Sequence, residues 1–195
     1  RVREYQSITD ALVDYDYAAG DVIVLNPGAH VPPNSLPSCR ILFMASSISA
    51  TIIPAGSVVE FSGTGKVTGP FLSVSGQLTS NGVDVEYLGS DGTTLINGDV
   101  LIFLNVTDGT CIINGDVRGL DDPASLGTCM SLVPKGDTYI SGNVYIPSDQ
   151  NVLIAGDKFT IDGNFICASN RTGMPVVNAD SGFITMNGII PLDQF

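Results

Sequence analysis

The sequence predicts an all-β chain coiled as a parallel β-solenoid, and three observations predict it. A short phrase recurs six times: an apolar residue, a small polar residue, Gly, a variable residue and a second apolar residue. The copies are Val74-Ser75-Gly76-Gln77-Leu78, Ile96-Asn97-Gly98-Asp99-Val100, Ile113-Asn114-Gly115-Asp116-Val117, Ile140-Ser141-Gly142-Asn143-Val144, Ile161-Asp162-Gly163-Asn164-Phe165 and Met186-Asn187-Gly188-Ile189-Ile190. The polar position advances by 22, 17, 27, 21 and 25 residues, so a turn returns with a period near 22, as stacked rungs require. Composition agrees: 22 of 195 residues are Gly and only 14% are charged, against a usual Gly share of about 7%. Beyond the N-terminus no segment sustains a 3.6-residue apolar period.

The columns flanking the phrase define the rung. One residue before the polar position stand Val74, Ile96, Ile113, Ile140, Ile161 and Met186, and three after it Leu78, Val100, Val117, Val144, Phe165 and Ile190, all apolar. Between them lies a turn dipeptide in which Gly is expected to take positive φ without a steric penalty. Five residues after the polar position the column reads Ser80, Ile102, Gly119, Ile146, Cys167 and Leu192, mostly inward-facing material. Each rung thus folds one apolar strand around a corner into a second, and successive rungs pair in parallel about 4.8 Å apart. The eight Phe fall about once per rung. Phe61, Phe71, Phe103, Phe159, Phe165 and Phe183 read as stacked core. No linker divides the chain, so one domain of roughly six to seven rungs is expected, burying roughly 70% of its unfolded surface. Residues 1–30 form its N-terminal cap helix and first strand, and residues 31–195 the rungs.

In the N-terminal segment Ser7-Ile8-Thr9-Asp10 outlines a capping box, with Asp10 where Glu is usual. Ile8, Ala11, Leu12 and Tyr15 follow at helical spacing. Ala18-Ala19-Gly20-Asp21 stops the helix, Val22-Ile23-Val24-Leu25 makes a strand and Asn26-Pro27-Gly28 turns it. A helix here has a physical task, covering the apolar side chains and unpaired strand groups of the first rung. The stretches from Tyr5 to Leu12 and from Ala19 to Gly28 resemble the opening of the pectin-lyase-like right-handed parallel β-helices. The resemblance implies a right-handed coil with an N-terminal capping helix. It implies little about activity, because that scaffold carries lyases, hydrolases, esterases, adhesins and viral spikes.

The enzymes of that superfamily suggest what a catalytic site would need. The polygalacturonase-like pattern combines Asn-x-Asp, Asp-Asp, Gly-His-Gly and Arg-x-Lys, supplying an acid, a water-activating carboxylate and a cation. Asp121-Asp122 is present but is followed by Pro123 in the longest spacing, and reads as a loop turn. The one histidine, His30, lies beside the Pro-Gly turn and reads as a surface or capping residue. A pectate-lyase pattern needs a calcium-binding acidic cluster and an Arg. Among five Arg and three Lys, Arg118 (near Asp121 and Asp122) and Arg171 are the candidates. No esterase pattern of two Asp and an Arg is recognisable, and no catalytic or cofactor-binding residue is assigned.

Two residues after the polar position the column reads Gln77, Asp99, Asp116, Asn143, Asn164 and Ile189. Stacked in register, Asp99 and Asp116 make either a calcium site or acid pair, or part of a side-chain ladder that hydrogen-bonds the turn backbones. Gln and Asn in the same column favour the ladder, and no calcium-binding repeat or EF-hand loop is present. Asp99 and Asp116 are the metal candidates, with calcium the ion.

A net charge of −12 argues against nucleic acid and against anionic membrane surfaces, and against acidic pectin unless calcium bridges the charges. No apolar run is long enough to insert in a membrane. Trp is absent, and the six Tyr are what remains for a glycan platform. Irregular threonines, such as Thr93-Thr94 and Thr107, speak against a regular ice-binding face. Four cysteines allow three pairings. Cys167 falls in the inward column, while Cys111 and Cys129 bracket the change in spacing and are the disulfide candidate. The sequons at Asn105 and Asn170 are compatible with glycosylation and a secretory route, so an extracellular or virion-surface location is expected. A chain that opens on Arg1 with no signal segment reads as a processed product or excised domain. Ile189-Ile190-Pro191-Leu192 reads as uncapped rung material, which more chain, a protein partner or a sister subunit would cover.

The expected function is a non-catalytic one: a rigid, surface-exposed structural or attachment module of a larger extracellular or viral assembly. Its partners would be proteins, sister subunits or glycans, met by the outward faces and the loops Arg118–Met130 and Ala168–Val177. The alternative is a polysaccharide lyase or glycoside hydrolase with an atypical active site.

Overall fold

The computed structural model describes residues 2–5, 7–13, 21–69, 71–118, 130–132, 137–146, 152–155, 158–167, 176–178 and 183–186. All strand pairings among them are parallel, and they sort into three faces that the chain visits in turn. This is the predicted β-solenoid.

The first face stacks ten strands among the described residues: Val2–Tyr5, Val22–Leu25, the leading parts of Cys39–Ser49, Val58–Thr68 and Gln77–Ser90, then Thr93–Asn97, Thr110–Ile113, Asp137–Ile140, Lys158–Ile161 and Phe183–Met186. The second face begins at Gly28–His30, passes through the later parts of the same three long strands, and continues in Val100, Val117–Arg118, Val144–Ile146 and Phe165–Cys167. The third face runs through Ile52–Ile53, Leu72–Val74, the ends of Gln77–Ser90 and Val100–Val106, Met130–Leu132, Val152–Ala155 and Val176–Asn178, seven strands among the described residues.

Strand alternation aims every second side chain at the axis, and stacking in register makes columns of like residues. Val67, Val85, Val100, Val117 and Val144 pair in succession on the second face, all buried. Leu72, Leu88 and Leu104 do the same on the third. On the first face Ile96, Ile113, Ile140 and Ile161 form such a column. β-branched side chains fit here because the pleated surface suits their restricted rotamers. Towards the N-terminal end Phe43 and Phe61 fill the axis edge to face, with ring centroids 5.4 Å apart.

A helix, Ile8–Val13, forms where the sequence predicts one, while Tyr15 and the expected stop at Ala18-Ala19-Gly20 lie outside the described residues. Ser7 is the N-cap, its Oγ accepting the Asp10 N–H at 3.1 Å, which satisfies one of the orphan donors of the first turn. Ile8, Ala11 and Leu12 are buried and join the same apolar cluster as Ile23 and Leu25. Unexpectedly, Val2–Tyr5 precedes the helix and already pairs with Val22–Leu25, so the helix sits between the first two strands of the first face.

Two expectations about the repeat are corrected. The first copy does not share a corner with the others: Gln77 pairs with Thr93, not with Asp99. Ser75-Gly76 lies between the third and first faces, where the flanking pairings align it with Asp91-Gly92. The corner glycines are also needed for a different reason. Gly98, Gly115, Gly142 and Gly163 are absent from the positive-φ residues. They stack, and a Cβ added to Gly115, Gly142 or Gly163 would fall on the carbonyl oxygen of the glycine one rung before it. Positive φ is used one rung earlier, where Gly82 (φ +78°) accommodates an extra residue.

Candidate functional site

The corner between the first and second faces carries the most organised polar chemistry of the described residues. Asp84, Asp99, Asp116, Asn143 and Asn164 form one column there. In each step the side-chain Oδ1 accepts the backbone N–H of the column residue on the next rung: Asp99 N to Asp84 at 2.9 Å, Asp116 N to Asp99 at 2.9 Å, Asn143 N to Asp116 at 2.8 Å and Asn164 N to Asn143 at 2.9 Å. A second ladder runs beside it, with Asn97 Nδ2 donating to Asn81 Oδ1 at 2.6 Å and Asn114 Nδ2 to Asn97 Oδ1 at 2.7 Å. Turn N–H groups that a solenoid would leave exposed are thereby paired along its axis.

Stacked carboxylates repel, and the chain supplies its own counter-charge. Arg118 follows the inward Val117, so its side chain points outward over the column. Its Nε lies 3.3 Å from Asp99 Oδ2 and its Nη2 2.9 Å from Asp116 Oδ2. Tyr145, its neighbour on the next rung, places a ring 5.0 Å from the guanidinium carbon, within cation–π range. Asp99 and Asp116 therefore each spend one oxygen on a backbone N–H and the other on Arg118. Among the described residues no group of three or more His, Cys, Asp or Glu is placed to hold a metal ion.

One rung before Asp84 the column holds Lys66, whose Nζ meets Glu86 Oε1 at 3.1 Å, while Glu86 Oε2 accepts the Gly69 N–H at 2.8 Å. Arg40 is paired with Glu60. Farther along, the Tyr139 hydroxyl donates to the Asp162 carboxylate. That hydrogen bond, then desolvation, then the carboxylate's charge raise the phenol above its ordinary range.

Other residues singled out from the sequence fall elsewhere. His30 Nε2 donates to the Asn26 carbonyl at 2.9 Å and closes its own turn. Cys111 is a free thiol wholly buried on the inner side, between Thr94 and Thr138 of adjoining rungs. Burial pushes it, like Cys39, up to about 12, so neither is a nucleophile. Cys129, Asp121, Asp122, Asn170, Arg171 and the interiors of the two loops lie outside the described residues. Asn105 stands on the outer side of the third face, in register with Gly89.

Sequence reasoning missed the surroundings of Asn105. Phe71, read as core, is 48% exposed and packs its ring against Tyr87 with centroids 5.7 Å apart. Together with Ser73, Gly89, Asp91, Asn105 and Thr107, Phe71 bounds a depression of about 270 Å³. Its strand is short, and no alternation count over three residues decides which face a Phe at the boundary takes. A second, more open cleft of about 510 Å³ lies near Ala45, Ser47, Lys66 and Asp84, but Lys66 is committed to Glu86.

No protein-family model, no curated protein and no solved structure matches the chain.

Proposed function

We propose that this chain is a non-catalytic structural or attachment module, a rigid surface-exposed β-helix of pectin-lyase-like type within a larger extracellular or viral assembly. The observation that carries the reading is the use made of Asp99, Asp116 and Arg118. These are the side chains an acid–base or calcium-assisted site would need, and their polar atoms are spent on joining one rung to the next. Hydrogen bonds to charged acceptors contribute about 1.5–3 kcal/mol each, so a ladder of them resists bending and fraying. The outer surface is then free to vary while the axis stays fixed, which suits display and attachment.

The test is a panel of acidic and neutral glycans in which cleavage and retention are both read. Retention without cleavage, unchanged in an Asp99→Asn variant, supports attachment. Turnover that disappears with Asp99→Asn or Asp116→Asn contradicts it and restores the lyase or hydrolase alternative.

A further inference from the structure

The depression on the third face contains the receptor half of an arrangement that the chain completes elsewhere by itself. At the corner ladder, one guanidinium is held by carboxylates and an aromatic ring: Asp99, Asp116 and Tyr145 around Arg118. On the third face the Phe71 ring, which packs against Tyr87, and Asp91 border a depression whose lining includes no Lys or Arg among the described residues. The Asp91 carboxylate is exposed, and among the described residues it makes no hydrogen bond or ion pair. Gly89 lowers the floor where its neighbours in register, Ser73 and Asn105, carry side chains. Ser73, Asn105 and Thr107 line the rim, and their hydroxyl and amide oxygens are able to accept hydrogen bonds.

We infer that this depression binds an arginine side chain presented by a protein partner. The inference rests on the attachment reading above and names the chemistry of what is attached. A guanidinium is flat, carries five N–H donors and no acceptor, and stacks on aromatic faces. That matches a site made of one ring, one carboxylate and side chains with acceptor oxygens. About 270 Å³ lies just below the roughly 300–1,000 Å³ of sites for drug-sized ligands, so one side chain suits it better than a larger ligand. Charge complementarity points the same way, since 20 acidic residues stand against 8 basic ones and draw in a basic partner. Lysine is a poorer fit because its compact ammonium cannot stack as a plane.

The experiment titrates the intact chain with a blocked arginine tripeptide, and with its lysine and glutamine counterparts, following backbone amide resonances. With arginine, the Ser73, Gly89, Asp91 and Asn105 amides are expected to move and saturate. The lysine peptide should bind several-fold more weakly, and the glutamine peptide should leave them still. Phe71→Ala and Asp91→Asn should each weaken arginine binding about threefold, as loss of an exposed cation–π contact or ion pair implies, with distant amides unchanged. Equal response to lysine and arginine overturns the inference. So does displacement of the same amides by a neutral oligosaccharide, or silence at all four positions. Those results leave the attachment reading standing, whereas cleavage of a glycan by the unaltered chain removes that reading whatever the amides do.

Discussion

Replacing Asp116 with Ala should cost about 2–3 kcal/mol of stability, and replacing it with Asn at most about 1 kcal/mol. Asp116 Oδ1 accepts the Asn143 N–H at 2.8 Å, and its Oδ2 meets Arg118 at 2.9 Å. Ala leaves that N–H unpaired in a half-buried corner, a loss of about 1–3 kcal/mol. The ion pair adds little, about 0–1 kcal/mol, because Arg118 is half exposed to solvent. Asn keeps the acceptor and gives up only the charge. The column already shows that an amide suffices, since Asn143 Oδ1 accepts the Asn164 N–H at 2.9 Å. Equilibrium unfolding in urea, compared at constant slope, measures both changes. Asn costing as much as Ala would refute the reasoning, and so would Ala costing nothing. A midpoint that rises with calcium in the unaltered chain and not in Asp116→Asn would show a metal site in place of a ladder.

Gly142→Ala drives a methyl onto the Gly115 carbonyl oxygen, and the rungs must separate; a loss of about 2–3 kcal/mol is expected from thermal melts followed by circular dichroism. Phe61→Ala, at the buried axis against Phe43, should cost about 3–5 kcal/mol, whereas Phe71→Ala, on the outer surface, should cost less than about 1 kcal/mol. The thiols of Cys39 and Cys111 are pushed by burial from 9.0 up to about 12. The unfolded chain therefore releases protons that the folded one keeps, and stability falls as pH rises from about 9 to about 12. Tyr139, also raised, acts in the same direction. Unfolding curves across that range should flatten when Cys39 and Cys111 are both replaced by Ala, and an unchanged slope would show that other groups set it.

The solenoid was legible wherever one rung reuses one corner. Ile96, Ile113, Ile140, Ile161 and Met186 pair in a single column as the phrase predicts. Ser75-Gly76 mimics the phrase because any corner between two buried strands takes a small polar residue and Gly, so the motif marks a corner without saying which. Asp84 joins the ladder unannounced, since the stretch from Asn81 to Val85 has one residue more than the stretch from Asn97 to Val100 with which it pairs. The rungs before Val74 were invisible to the phrase. Their strands run through the first corner with bulges, between Met44 and Ser46 and between Ser62 and Gly65, and so never write it. Of the site, the stacking of Asp99 on Asp116 followed from register alone. The Arg118 bridge did not, because it depends on a side chain reaching back across a rung.

The most direct test is methyl-to-methyl nuclear Overhauser contact along the axis, with valine and leucine methyls labelled. Val67, Val85, Val100, Val117 and Val144 should each touch the next in that order, and Leu72, Leu88 and Leu104 likewise, at the separation of about 4.8 Å that parallel rungs impose. Contacts in an antiparallel order, or Val100 close to neither Val85 nor Val117, would contradict a chain wound rung upon rung.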